Sequence, residues 1–370
     1  MQELVKRGAF RYVLIGDVAD PEREIEAWRV PAEIEFIEIP CRKLGSKLLW
    51  QSGLVREVLR PAYSAFVFLA NPNWPSTWLA ALLARMLGKR ILFWTHGWIA
   101  PESGTKRLLR NLFYRLPHDL LLYGQAARRR GIVEGFSADK LHVIFNSLNY
   151  EEQREIRESV TEDESRELRT SLFGSADIPV IVCTSRLTAV RGLDLLFLAA
   201  KKLAEIGHIT GVLLVGSGRE RGVLEALARK LGLHVVFFGA CYDERTLGQL
   251  ILASTVTVAP GKVGLTAMHS MAYGIPVVTH GDADHQMPEW EAIIDGWTGG
   301  LFTRGDVDDL AQKIQQWTSR PWVDSDTRAR CIRVIEERYN PAAQRVLIER
   351  ALRGEPAHAI GSDGKREESV

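Results

Sequence analysis

The chain has 370 residues, 46% hydrophobic and 25% charged, with 31 Gly and 15 Pro; this is the balance of a globular protein with material for two cores, and it excludes a collagen, a coiled coil or a disordered chain. Lys plus Arg (47) nearly cancels Asp plus Glu (46), so no global positive field exists to hold nucleic acid and any basic surface is local. The four cysteines, Cys41, Cys183, Cys241 and Cys331, stand far apart with no Cys-x-x-Cys pair, which argues against a disulfide framework or a zinc site.

The N-terminal stretch runs through charges into a short apolar segment ending in Gly16 and Asp17, unlike a signal peptide, and no segment reaches the ~20 apolar residues of a membrane span. A cytoplasmic protein, at most peripheral to a membrane, is expected. Short apolar runs at 12–17, 34–40, 65–72, 90–97, 119–124 and 141–146 have the pattern of strands buried on both faces. Helix-like segments at 46–60 and 76–89 lie between them, the second opening at Pro75 and Ser76. Residues 150–175 are charge-rich with almost no strand signal, an exposed connector with helical character. The alternation resumes at 177–186, 211–218, 234–240, 255–261 and 274–281, and Trp322 precedes a long helical stretch.

Repeated strand and helix predict an α/β protein of two doubly wound parallel-sheet, Rossmann-like domains facing across a cleft, with ligands at the carboxyl ends of the strands. The expected divisions are a first domain at 1–158, a linker at 159–176, a second domain at 177–322, a helical segment at 323–353 packing back on the first domain, and a disordered tail at 354–370.

Residues in these strand-end loops are the candidates. Arg186 and Arg191, five positions apart before Gly192, form a pair of guanidinium forks suited to a diphosphate; two solvated surface arginines are the alternative. Lys262, Val263, Gly264 and Leu265 follow Pro260 and Gly261 where backbone N–H groups at a helix start would face an anion, unless the glycines serve packing alone. Gly216, Gly218 and Gly222 do not fit the dinucleotide spacing and suggest a tight turn lining a nucleotide site. His96 and Gly97 end a first-domain strand, where a histidine reaches a cleft or is packed by its tryptophan neighbours, and Gly16 occupies a close-approach loop. Asp282, Asp284, His285, Glu289 and Glu291 crowd one loop; carboxylates in such a loop are usually solvated, and no metal is expected. The segment 104–115 places Leu108, Leu109, Leu112 and Phe113 beside Lys106, Arg107 and Arg110, and Ala127 precedes three arginines. Such a basic amphipathic surface suits an anionic membrane or a lipid-diphosphate acceptor; a packed helix with a wet basic face is the alternative.

In these motifs and their order, the sequence resembles the retaining glycosyltransferases of the GT-B fold, group 1 or family 4. Arg186 and Arg191 match the pair that grips the donor diphosphate, 215–218 the following loop, and 260–278 the stretch ending in Gly and Pro. His96 matches the cleft histidine, 143–149 the segment before the linker, and 293–302 a late Asp-Gly, Thr-Gly, Leu pattern. Where the family carries two glutamates, the first meeting sugar hydroxyls and the second the ribose, this chain has Gly261 and His269. Imidazole can replace a carboxylate toward a ribose, whereas glycine cannot replace one at all; the sugar would be met by backbone amides of 262–265 or by Glu289. The resemblance implies transfer of a sugar from a nucleotide sugar with retained configuration, to a glycan or lipid-linked acceptor held by the first domain in surface polysaccharide or glycolipid synthesis. It implies no cofactor, no metal and no nucleic-acid partner. A non-catalytic nucleotide-sugar-binding partner subunit and a GT-B sugar-nucleotide epimerase are the competing expectations.

Overall fold

The computed structural model describes residues 2–18, 30–45, 47–319 and 324–357. The chain divides into two units, one formed by Met1–Ile144 with Gln344–Val370 and the other by Phe145–Ala343.

In the first unit, β1 (Val13–Gly16) and β2 (Glu35–Glu38) pair in parallel, and β3 (Cys41–Leu44) and β4 (Leu48–Gln51) form an antiparallel hairpin. The hairpin occupies the start of the 46–60 segment expected to be helical, and only Leu54–Leu59 is a helix there. Gly53, at φ +103°, stops the strand and starts that helix, a break the apolar count conceals. A four-stranded parallel sheet follows: β5 (Ala65–Leu69), β6 (Arg90–Thr95), β7 (Asp119–Leu122) and β8 (Leu141–Val143), in that spatial order.

Its strands β6, β7 and β8 are covered on both faces, which is why they read as continuous apolar runs, whereas the edge strand β5 leaves Val67 and Leu69 exposed. Ile91, Phe93, Leu120 and Leu122 join a core with Phe113 and with Ala80, Ala81 and Ala84 of the helix Pro75–Met86, whose small side chains let it lie close to the strands. Leu92 and Leu121, one residue out of phase, pack with Leu4, Ile144, Ile348, Ala351 and Leu352. The last three belong to the helix Pro341–Arg353, and Arg90 ties it down by donating from Nε to the Ala351 carbonyl (2.8 Å) while pairing with Asp119.

The second unit holds one six-stranded parallel sheet: β9 (Val180–Thr184), β10 (Gly211–Val215), β11 (Val235–Gly239), β12 (Val256–Ala259), β13 (Val277–His280) and β14 (Gly299–Phe302). Their spatial order is β11-β10-β9-β12-β13-β14. The chain builds outward from β9, returns to the middle, and builds outward the other way from β12. Such an order has its topological switch point between β9 and β12, where the loops leave the sheet in opposite directions.

The unit boundary falls after Ile144, ahead of the 158 expected from charge density. The helices Tyr150–Ser159 and Glu162–Phe173 are charged outside but packed inside: Ile156 joins Ile251, Leu252, Tyr273 and Ile275, and Phe173 joins Val180, Val182, Leu213 and Val215. The stretch read as a linker is thus mostly a helix of the second unit, opened by a reciprocal capping box between Thr161 and Glu164. The helical segment at 323–353 is split by Pro341: Ser325–Arg338 stays with the second unit, burying Cys331, Val334 and Ile335, and only Pro341–Arg353 packs on the first. Trp322 and positions 358–370 of the expected tail lie outside the described residues.

Replacing Ile348 by Ala removes buried methyl groups from the cluster around Leu92 and Leu121. A loss of about 3 kcal/mol is expected in the unfolding of the first unit, read by urea titration with a probe in that unit.

Candidate functional site

At the switch point three loops are joined backbone to backbone. From the loop after β9, Ser185 N donates to Val215 O (3.1 Å) and Leu187 N to Ser217 O (2.9 Å); Glu220 N returns a bond to Leu187 O (3.1 Å). A Cβ on Gly216, whose φ is +152°, would stand 1.9 Å from Ser185 O, and one on Gly218 would stand 2.2 Å from Leu187 O. These glycines are required because backbone lies against backbone.

The loop after β12 meets the loop after β9 in the same way. Gly261 N donates to Arg191 O (3.0 Å), Arg191 Nη1 donates to Lys262 O (2.5 Å), and Thr266 Oγ1 donates to Thr184 O (2.7 Å). A Cβ on Gly261 would lie 2.4 Å from Val190 O. The turn Ala189–Arg191 therefore fills the space a side chain at 261 would need.

Gln286, an uncharged residue inside the acid-rich loop, holds this segment. Buried, its Oε1 accepts from Val263 N (3.0 Å), while Nε2 donates to Thr279 Oγ1 (2.8 Å) and His280 O (3.1 Å). His280, also buried, is pushed down to about 4 by that burial, with Arg304, His285 and Lys262 adding to the effect against Asp282. It is neutral at pH 7 and its Nδ1 accepts from Asp282 N (3.3 Å).

The expected site residues are distributed as follows. Arg186 is exposed on the loop after β9, and its guanidinium makes no ion pair among the described residues. Lys262 is exposed one loop away. Arg191 is half-buried, spends Nη1 on Lys262 O, and keeps a buried Nε without a partner. Val263 is buried, Gly264 has φ +55°, and Leu265 caps the seven-residue helix Thr266–Ala272. Neither connecting loop, 185–192 or 260–265, contains a carboxylate.

His269, on that helix, places Nδ1 3.5 Å from Glu244 Oε1 and 3.3 Å from Gln153 Nε2. Glu289 is not displayed to a ligand: it is buried, with Oε1 accepting from Asn146 Nδ2 (2.8 Å) and Oε2 unpartnered. Asp282 is held by His285 Nδ1 (2.7 Å) and Arg304 Nη1 (3.5 Å).

In the first unit, His96 follows β6 half-buried, its ring 4.6 Å from that of Tyr123. Gly97 there has φ +64°, and a Cβ would press on Leu122 Cδ2 at 2.9 Å. Gly16 ends β1 with nothing nearer than 4.0 Å to a would-be Cβ, so its glycine is not a packing requirement. The helix Gly104–Tyr114 buries Phe113 and Tyr114 but leaves Leu108 71% exposed, with Leu109 and Leu112 also more than half exposed, and Val133 on the helix Gln125–Val133 is 83% exposed. Arg107 pairs with Glu134 (2.7 Å) and Arg110 with Glu102 (2.7 Å). Residues 99–136 carry seven Lys and Arg against three Asp and Glu. Among the described residues no helix is long and apolar enough to cross a membrane.

Residues 165–338 match the sequence model of the glycosyl transferases group 1 family. That stretch takes in most of the second unit. Across the whole chain the fold is that of the GT-B glycosyltransferases: the Anabaena protein HepE, solved with UDP, superposes with a TM-score of 0.68 at 20% identity over 87% of both chains. A glycosyltransferase from Rickettsia africae gives 0.69 at 15% identity over 87% of this chain and 85% of its own. In sequence, the chain is 29% identical over 161 residues to a GDP-mannose-dependent alpha-(1-6)-phosphatidylinositol monomannoside mannosyltransferase of Mycolicibacterium smegmatis, a match spanning 40% of this chain and 41% of that relative.

Glutamate placed at Gly261 will not supply a working carboxylate. The Gly261→Glu protein is expected to lose about 2–3 kcal/mol of stability through the Val190 clash and to gain no activity; a denaturation midpoint equal to the parent's would show that the turn at 189–191 yields.

Proposed function

We propose that this protein is a retaining glycosyltransferase that moves a sugar from a nucleoside diphosphate donor to a glycan or lipid-linked acceptor in surface polysaccharide or glycolipid synthesis. The observation that carries this reading is the acid-free pair of loops at the β9/β12 switch point, which displays Arg186 and Lys262 beside the tethered Arg191.

When a nucleotide sugar reacts, the bond between C1 and the diphosphate oxygen breaks and negative charge gathers on the leaving diphosphate. Fixed cations and N–H donors lower that barrier most. In this reading Arg186, Arg191, Lys262 and the backbone of 262–265 receive the diphosphate, so side chains carry the role a metal plays elsewhere and no cofactor enters. The acceptor oxygen bonds to C1 on the face the diphosphate leaves, and its proton passes to a departing phosphate oxygen. Retention follows without an enzyme nucleophile, which suits a chain with glycine at 261. His96, at the end of β6, is kept in this reading as a catalytic residue of the first unit. The UDP bound by HepE supports the donor class.

Incubation with UDP-, GDP-, ADP- and dTDP-sugars, with and without acceptor lipids or glycans, tests the reading through nucleoside diphosphate release and the anomeric proton couplings of the product. Arg186→Ala is expected to lower kcat/KM about 100-fold while leaving the unfolding midpoint unchanged, since the side chain is exposed and unpaired. Binding without release would favour the silent subunit, isomerised donor the epimerase, and an unchanged rate would remove Arg186 from the site.

The acceptor side of the reading is peripheral contact with the cytoplasmic face of an anionic membrane through Leu108, Leu109, Leu112 and Val133 with Lys106 and Arg129. Exposed leucines ringed by cations gain from both acyl-chain burial and lipid charge. The lipid-linked substrate in the mycobacterial relative's name accords with it. The parent protein is expected to cosediment with phosphatidylglycerol vesicles and not with phosphatidylcholine vesicles, less so in high salt, and the double variant Leu108→Ser, Leu112→Ser to remain in solution.

A further inference from the structure

The loop that follows β13, Gly281 to Met287, is tied to the loop after β12 through one amide. Gln286 accepts from Val263 N (3.0 Å) and donates to Gly261 O (3.3 Å), so it spans the peptides on either side of Lys262. Its chain neighbour His285 stays at the surface, exposed.

The exposed imidazole is nevertheless held. His285 Nδ1 stands 2.7 Å from Asp282 Oδ2, and His285 N donates to Asp282 O (3.1 Å), so a single residue fixes both its ring and its main chain. Asp282 is anchored in turn: Oδ1 accepts from Asp284 N (3.1 Å), Arg304 Nη1 lies 3.5 Å from Oδ2, and its own N–H donates to the buried His280 (3.3 Å). Burial raises the Asp282 carboxyl, but the hydrogen bonds from Asp284 N and His285, with the charge of Arg304, outweigh it and hold the group below the usual carboxylate range.

A carboxylate at this distance keeps a proton on Nδ1 and leaves Nε2 on the far side of the ring. Nε2 makes no hydrogen bond among the described residues. In the neutral ring it accepts and in the protonated ring it donates; a hydroxyl group does both, so either state can make the contact.

The place of this nitrogen decides what it can meet. A ligand with its diphosphate at the β9/β12 switch point extends over both halves of the sheet. On the β11 side the strand-end loop carries Tyr242, 86% exposed, an aromatic face for a planar base. On the β13 side the loop 281–287 offers oriented hydrogen-bonding groups instead, which hydroxyls require. The two loops of the switch point contain no carboxylate, and Glu289 is buried.

We propose that Asp282 and His285 form the sugar-recognising contact of the donor site: His285 Nε2 meets a hydroxyl of the sugar carried on the diphosphate, and Asp282 is the positioning residue that orients the ring. Gln286 joins this contact to the loop bearing Lys262, so sugar and diphosphate are received at a fixed spacing. This rests on the nucleotide-sugar reading given above.

The test is calorimetric titration of the full chain with UDP-glucose, GDP-mannose, ADP-glucose and dTDP-glucose, and with UDP, GDP, ADP and dTDP alone, for the parent, His285→Ala, His285→Gln and Asp282→Ala. His285→Ala is expected to bind the parent's preferred nucleotide sugar about tenfold less tightly, and the matching nucleoside diphosphate within about twofold of the parent. Asp282→Ala is expected to change in the same direction, and His285→Gln, which keeps a hydrogen-bonding group, to recover part of the loss. A merely structural loop would weaken both ligands by one factor; that result overturns the inference while the nucleoside diphosphate reading stands. Unchanged affinity of His285→Ala for the nucleotide sugar does the same. If the parent binds none of these ligands, both readings fall.

Discussion

The structure of the second unit turns on how closely its strand-end loops approach at the switch point. Peptide backbones of three loops are within hydrogen-bonding distance where Ser185, Leu187, Gly216, Gly218 and Gly261 meet. No side chain fits at the three glycines, and in exchange the loops are cross-linked by main-chain bonds that a change of surface side chains leaves in place. Groups displayed from such a frame need little reorganisation when charge appears in front of them, and preorganisation is where electrostatic catalysis gains most. Arg191 belongs partly to the frame. One of its nitrogens holds the Lys262 carbonyl and another is buried without a partner, a cost of the order of 1–3 kcal/mol that the surrounding bonds must offset. Arg186 and Lys262 are left as the exposed charges.

The same closeness explains the pattern of missing carboxylates. At 261 the turn Ala189–Arg191 takes up the volume of a side chain, so the glycine there is coupled to the path of the neighbouring loop. At 269 a carboxylate comes from another helix: Glu244 Oε1 stands 3.5 Å from the imidazole Nδ1. The two positions thus have different physical characters, one closed by backbone packing and the other facing a carboxylate of a neighbouring helix.

Much of this architecture is legible in the sequence because strands covered on both faces are largely apolar, and the inner strands of the two larger sheets follow that rule. The loops at 185–192 and 260–265 stand out for the same reason, since charged and glycine residues interrupt apolar runs only at strand ends. Charge density misleads at 150–175, where Ile156 and Phe173 anchor helices whose outer faces are charged. Apolar content misleads at 46–60, where Leu48 and Leu49 lie in a hairpin edge rather than a helix. The roles of Gly216 and Gly218 are visible only once the neighbouring backbone is in place. Gln286 and Gln153 leave no composition signal, because a single buried amide does its work through partners distant in sequence; Asp243 ahead of Thr246 does mark the helix start that carries Glu244.

The choice of neutral groups beneath the loop after β12 follows from its charges. Gln286 must accept from the Val263 N–H and donate to Thr279 and His280 O at once, which an amide can do and an ionised carboxylate or ammonium cannot. A glutamate there would also set a buried negative charge against the cations above it. His280, close to Lys262, Arg304 and His285, stays neutral because burial disfavours its charged form and these neighbours add to that. Were it protonated, a buried positive charge would stand against those of Lys262 and Arg304. A neutral floor beneath the loop adds no charge to oppose or cancel the field of the exposed Lys262.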